Sequence, residues 1–123
     1  MSPEEFKEAL DKKYASNYCS DDVHCDTWQV FNFITSPNKR FVAYSVDRTY
    51  ENYNYPYDQC YNAIFVHDLE SQKSRGTGMQ KFEESGNDFY SKKDRIDVIV
   101  SISDEGRVVY KTRDDSEHTI SIS

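Results

Sequence analysis

Glycine is scarce in this chain, cysteines are few and odd in number, and basic residues are outnumbered by acidic ones; each imbalance removes a class of function. Glycine occurs four times in 123 residues. The pair in Arg75-Gly-Thr-Gly78 neither follows a clear strand nor precedes Lys with Ser or Thr, so glycine-rich phosphate loops are absent. The Gly-x-Ser-x-Gly nucleophile signature is missing too. Cysteines number three, Cys19, Cys25 and Cys60. An odd count without an export signal makes reduced thiols in a cytoplasmic protein the expectation, with a Cys19 to Cys25 disulfide as the open alternative. Met1-Ser-Pro-Glu-Glu lacks a basic start and no long apolar run follows, which removes a signal peptide and a membrane span from the expectations. Fifteen Lys and Arg against 22 Asp and Glu leave a formal charge of −7. Free nucleic acid and anionic membrane would be repelled by that charge, and a basic protein would be attracted.

What the chain has in quantity is tyrosine. Five of its ten tyrosines fall in Tyr50-Glu-Asn-Tyr-Asn-Tyr-Pro-Tyr-Asp-Gln-Cys-Tyr61, a stretch that carries Glu51 and Asp58 and neither Lys nor Arg. Tyrosine joins a large contact area and few rotatable bonds to a polar tip, which suits recognition. Tyr50, Glu51, Tyr53, Tyr55, Tyr57, Asp58 and Tyr61 are therefore the candidate partner-binding residues. The competing reading is that these rings fold back over their own sheet.

Ser2-Pro-Glu-Glu5 has the Ser-x-x-Glu form of a capping box with Pro at the first helical position, which predicts a helix over about residues 3 to 14. Phe6, Ala9, Leu10 and Tyr14 give it one apolar stripe to pack. Residues 17 to 27 read as a polar connection. Trp28 to Ile34, Arg40 to Val46 and Tyr61 to Val66 then read as strands, with the tyrosine-rich segment as a hairpin insertion between the last two. A weak fourth strand is expected over residues 75 to 82 and a loop over 83 to 93. Ile96, Val98, Val100 and Ile102 alternate with Arg95, Asp97, Ile99 and Ser101, a period-two pattern. Arg107 to Thr112 and Thr119 to Ile122 complete a second meander. The fold expected is a mainly β single domain: a meander over about 28 to 82, another over about 95 to 123, forming one antiparallel sheet or a small sandwich with one N-terminal helix.

Ser36-Pro-Asn-Lys-Arg-Phe-Val-Ala-Tyr44 and Ser103-Asp-Glu-Gly-Arg-Val-Val-Tyr110 echo each other. With Ala43-Tyr-Ser45 and Ile64-Phe-Val-His-Asp-Leu69, these residues resemble blades of TolB-type and prolyl-oligopeptidase-type β-propellers, over roughly residues 30 to 70 and 100 to 122. Asn38-Lys39 stands where those repeats usually carry Asp-Gly. The resemblance implies twisted antiparallel blades; a closed propeller needs at least about four of them, and this length supplies about two. No catalytic residue of those peptidases has a match here.

Chemistry has few other footholds. Cys19-Ser-Asp-Asp-Val-His-Cys25 gathers two thiols and an imidazole, but zinc wants four ligands and the Cys spacing is longer than usual, so no metal or other cofactor is expected. Among the histidines, His67 offers a base for Cys60 across the hairpin, the basis of an alternative reading as a small enzyme or ligand-binding domain with the tyrosine loop as pocket wall. A scaffold or assembly module is a third reading. The leading expectation is a non-enzymatic protein-binding inhibitor that resembles, in general character, small acidic bacterial toxin-immunity proteins and phage inhibitors. Its partner would be a basic protein such as a nuclease toxin.

Overall fold

The computed structural model describes residues 1–15, 18–19, 24–52, 58–78, 80–84 and 95–122. Among these residues one helix, α1 (Pro3–Lys13), leads into nine strands: β1 (Tyr18–Cys19), β2 (His24–Thr35), β3 (Phe41–Asn52), β4 (Asp58–Asp68), β5 (Ser74–Gly76), β6 (Gln80–Glu84), β7 (Ile96–Ile102), β8 (Arg107–Thr112) and β9 (Glu117–Ser121). The fold is mainly β, with two antiparallel sheets and no closed barrel or propeller among the described residues. The first sheet has six strands in the order β1-β2-β3-β4-β5, and β6 joins β4 beside β5. The second is the three-stranded meander β7-β8-β9.

The helix starts as its sequence dictates. Ser2 Oγ accepts from the Glu5 amide and Glu5 Oε1 accepts from the Ser2 amide, both at 3.1 Å, so two backbone donors that the first turn would orphan are satisfied. The stripe of Phe6, Leu10 and Tyr14 packs on Trp28, Val30, Phe33, Tyr44, Val46 and Phe65. The opposite face of the large sheet packs Phe41, Ala43, Ile64 and Val66 against Ile96, Ile99, Ile102 and Val108 of the small one. Strands β2 to β4 are thus covered on both sides, which explains why their apolar residues run continuously instead of alternating.

Two irregularities aim the side chains. Asn32 has φ 55°, inside a register shift of β2 between Phe31 and Ile34. Asparagine tolerates this left-handed conformation better than most residues, and its Nδ2 donates to the Asp97 carbonyl at 3.0 Å and to Ser45 Oγ at 3.3 Å. The shift sends Phe33 to the helix side and Ile34 to the small sheet. In β7 the shifts fall between Ile96 and Val98 and between Ile99 and Ser101. Each bulge adds a residue and flips the alternation. The buried set is consequently Ile96, Ile99 and Ile102, while Val98 and Val100 are 41% and 51% exposed, a correction to the period-two expectation.

Other boundaries also move. The connection expected over 17 to 27 contains β1 and the start of β2, and the expected fourth strand divides into β5 and β6, both paired with β4. The expectation of reduced thiols is corrected as well: Cys25 is disulfide-bonded, and its Cα partner across β1 and β2 is Cys19. Cys60 is a buried thiol.

The echoing segments form matching turns. Ser36 Oγ accepts from the Phe41 amide at 3.0 Å, and Ser103 Oγ accepts from the Arg107 amide at 3.1 Å. The turns also meet: the Asn38 amide donates to Asp104 Oδ1 at 2.8 Å, and Asn38 Nδ2 to the Asp104 carbonyl at 3.1 Å. Lys39, with φ 61°, takes the place that glycine would hold in the resembled repeats, and the Asn38 side chain before it ties one sheet to the other.

Candidate functional site

The tyrosine-rich segment is a strand hairpin at both ends. β3 runs on to Asn52 and β4 begins at Asp58, with Tyr50 opposite Gln59 and Arg48 opposite Tyr61. The expected twelve-residue insertion is therefore shorter, because β-branched and aromatic residues on both arms suit a pleated surface and extend the ladder. Tyr50, Glu51 and Tyr61 sit on those arms and are half-buried; Asp58 is the first residue of β4. Tyr53, Tyr55 and Tyr57 lie outside the described residues.

Arg48 organises the arms. Trp28 is its Cα partner on β2, Tyr61 its partner on β4, and Tyr50 follows two residues later, so all four side chains share the helix-side face. Its guanidinium carbon lies 4.9 Å from the Trp28 ring centroid, 5.3 Å from Tyr61 and 5.8 Å from Tyr50, within cation-π range of three rings. Asp26 closes the group with a two-point contact, Arg48 Nε to Oδ1 at 2.9 Å and Nη2 to Oδ2 at 2.7 Å. The hydrogen bonds that Arg48 donates to the Asp26 carboxylate raise its pKa above the ordinary value. Trp28 also stacks on Tyr14 of the helix at 5.4 Å, which anchors the face to the body of the protein.

Sequence reasoning named two of these rings and missed Trp28, Arg48 and Asp26. A signal was present in the two-residue spacings Asp26–Trp28 and Arg48–Tyr50, which put each pair on one side of a strand. The arrangement can hold flat or cationic groups on half-exposed rings without moving backbone. Two of the described acidic side chains are engaged locally. Asp26 is engaged by Arg48, and Asp114 Oδ1 accepts from Thr112 Oγ1 at 2.5 Å and the Ser116 amide at 3.0 Å within its own turn.

The alternative pairing of Cys60 with His67 is ruled out by geometry. Seven residues separate them on one strand, about 23 Å, and an odd spacing places them on opposite faces. His67 instead faces α1, where Phe6 stacks on its ring at 4.5 Å and 14°. Phe6, Ala9, Leu10, Lys13, Tyr44, His67 and Ser74 line a cavity of about 240 Å³ there. Among the described residues, no three His, Cys, Asp or Glu side chains converge as a metal site would require. No helix among them is long and apolar enough to cross a membrane.

No family model, no curated protein and no solved structure matches the chain.

Proposed function

We propose that this protein is a protein-binding inhibitor of the immunity type, neutralising a basic nuclease or other nucleic-acid-handling effector through the end of the β3–β4 hairpin. The observation that carries the reading is the aromatic group fixed around Arg48. Its rings are held on strands by cross-strand packing and by Asp26, so little side-chain entropy remains to be lost when a partner docks. With Arg48 balanced by Asp26, the charge that a partner meets is set by Glu51 and by the formal −7 of the chain. Cationic side chains would be steered there and could stack on Trp28, Tyr50 and Tyr61.

Affinity capture from the cells that make the protein, followed by mass spectrometry and calorimetry with the purified partner, tests the reading. One basic protein should be recovered in equimolar amount, and the double variant Tyr50→Ala with Tyr61→Ala should lose it while still folding. Undiminished binding by that variant, or capture of acidic proteins only, would overturn the proposal. A cytoplasmic location belongs to the same reading and meets a counter-argument, because Cys25 is disulfide-bonded and disulfides are rare in reducing compartments. Alkylation of freshly released protein decides it: three reactive thiols after denaturation fit the cytoplasm, and one fits an oxidising compartment.

A further inference from the structure

A hydroxyl, an imidazole and an amide form a hydrogen-bonded row about 20 Å along β4 from Tyr61. Ser74 on β5 is the cross-strand partner of His67, and Ser74 Oγ is hydrogen-bonded to His67 Nδ1. On the other side of the ring, His67 Nε2 lies 3.2 Å from Gln72 Oε1. The proton positions follow from the next contact. Gln72 Nε2 donates to the Leu69 carbonyl at 2.6 Å, and a carbonyl can only accept, so the amide oxygen must face the imidazole. Nε2 therefore carries the proton, Nδ1 presents its lone pair, and the Ser74 hydroxyl donates to it.

That is the order of parts an activated nucleophile requires: hydroxyl, base, and a third group orienting the base. His67 is buried, held by Phe6 on its ring face, whereas Ser74 is exposed at the strand edge where a substrate can reach it. We propose that Ser74 is a nucleophile activated by His67, with Gln72 as a positioning residue, and that the adjoining cavity accepts the acyl part of a small ester. Phe6, Ala9, Leu10 and Tyr44 give the cavity an apolar wall and Lys13 gives it a positive charge. Its volume of about 240 Å³ falls below the roughly 300–1,000 Å³ of sites for drug-sized ligands, which selects a short acyl chain. In the reaction Ser74 Oγ bonds to the ester carbonyl carbon as its proton passes to His67 Nδ1, and the alcohol leaves with that proton. Water, deprotonated by the same nitrogen, then releases the acid and restores the serine.

This site and the hairpin face are separate, so either proposal can fail alone. The test treats the full chain with a short-chain alkyl fluorophosphonate, which transfers its phosphonyl group to an activated serine with loss of fluoride. One adduct is expected, at Ser74, formed at least ~100-fold faster than at Ser74 in the urea-unfolded chain, the range of general-base assistance. Ser74→Ala should lose the adduct without a change in unfolding midpoint, and the chain should hydrolyse p-nitrophenyl butyrate in a Ser74-dependent way. Gln72→Leu should lower the maximal labelling rate constant and leave the half-saturating reagent concentration unchanged, which a merely structural role would not do. Labelling spread over several serines, or a folded rate no faster than the unfolded one, would overturn the proposal, and neither result depends on a buried His67 variant folding.

Discussion

Asp47 and Arg48 are neighbours on β3 and point to opposite faces of the same sheet. Asp47 faces the small sheet, where Arg95 Nη2 lies 2.6 Å from its carboxylate and the two side chains are 9% and 11% exposed. Asn62 Nδ2 donates to the same carboxylate at 2.5 Å, while Asn62 Oδ1 accepts from the Ile96 amide at 2.7 Å, so the start of β7 is fastened to the large sheet. Arg48 faces outward at the end of the hairpin, and its pair with Asp26 is 30% and 23% exposed. The chemistry is the same, one aspartate and one arginine. What differs is the solvent: a pair out of water holds two sheets in register because breaking it strands a charge, whereas a pair near water adds little stability and is left to shape a surface.

Removing one partner from each pair should expose the contrast. Asp47→Ala leaves the Arg95 charge buried, and denaturant unfolding should show a loss of about 3–5 kcal/mol. An equal loss on removing Asp26 would break the comparison. Gly106→Ala comes next. Gly106 has φ +81°, and a Cβ there would stand 2.8 Å from Ile122 and 2.9 Å from Phe41, so the second sheet's first turn should be destabilised by about 2 kcal/mol. Arg48→Ala should cost about 1 kcal/mol or less in the same measurement, yet abolish capture of the basic partner.

The pH dependence sharpens the contrast further. Burial pushes the Asp47 carboxyl up, against the opposing pull of Arg95 and Asn62, so its contribution favours the fold at low pH and fades as pH rises through the folded value. Asp68 behaves oppositely. The hydrogen bond from Arg40, reinforced by Ser71 and the Glu70 amide, holds its carboxyl well below the usual carboxylate range. Its stabilisation is complete above the unfolded value near ~3.9 and is lost as pH falls from there toward the folded value. Asp68→Asn should accordingly flatten the acid limb of a stability curve measured by denaturant unfolding from neutral to acid pH, a smaller effect than those above.

Much of the fold was written locally. Ser2 and Glu5 announce the helix start, and Ser36 and Ser103 build the two turns that the repeat implied. The order of β2 to β4 and of β7 to β9 follows from runs of aromatic and β-branched residues between turn formers, whereas the division into β5 and β6 does not. Less of the candidate site was legible. Tyr50 and Tyr61 stood out by composition, but Asp26, Trp28 and Arg48 come from two strands and meet through register alone. Ser74 and Gln72 carried no signal, since their relation to His67 depends on how the turn after β4 folds back.

By itself, then, the sequence determined the helix, the longer strands and the acidic balance of the chain, because propensity, capping and apolar spacing act over a few residues. Only the tertiary structure decided that β7 carries two bulges and turns Val98 and Val100 outward, that Asp47 is buried while Arg48 is not, and that His67 meets Ser74 and not Cys60. Those outcomes rest on register and on what lies across each face, quantities that belong to pairs of strands and have no value until the sheets have packed.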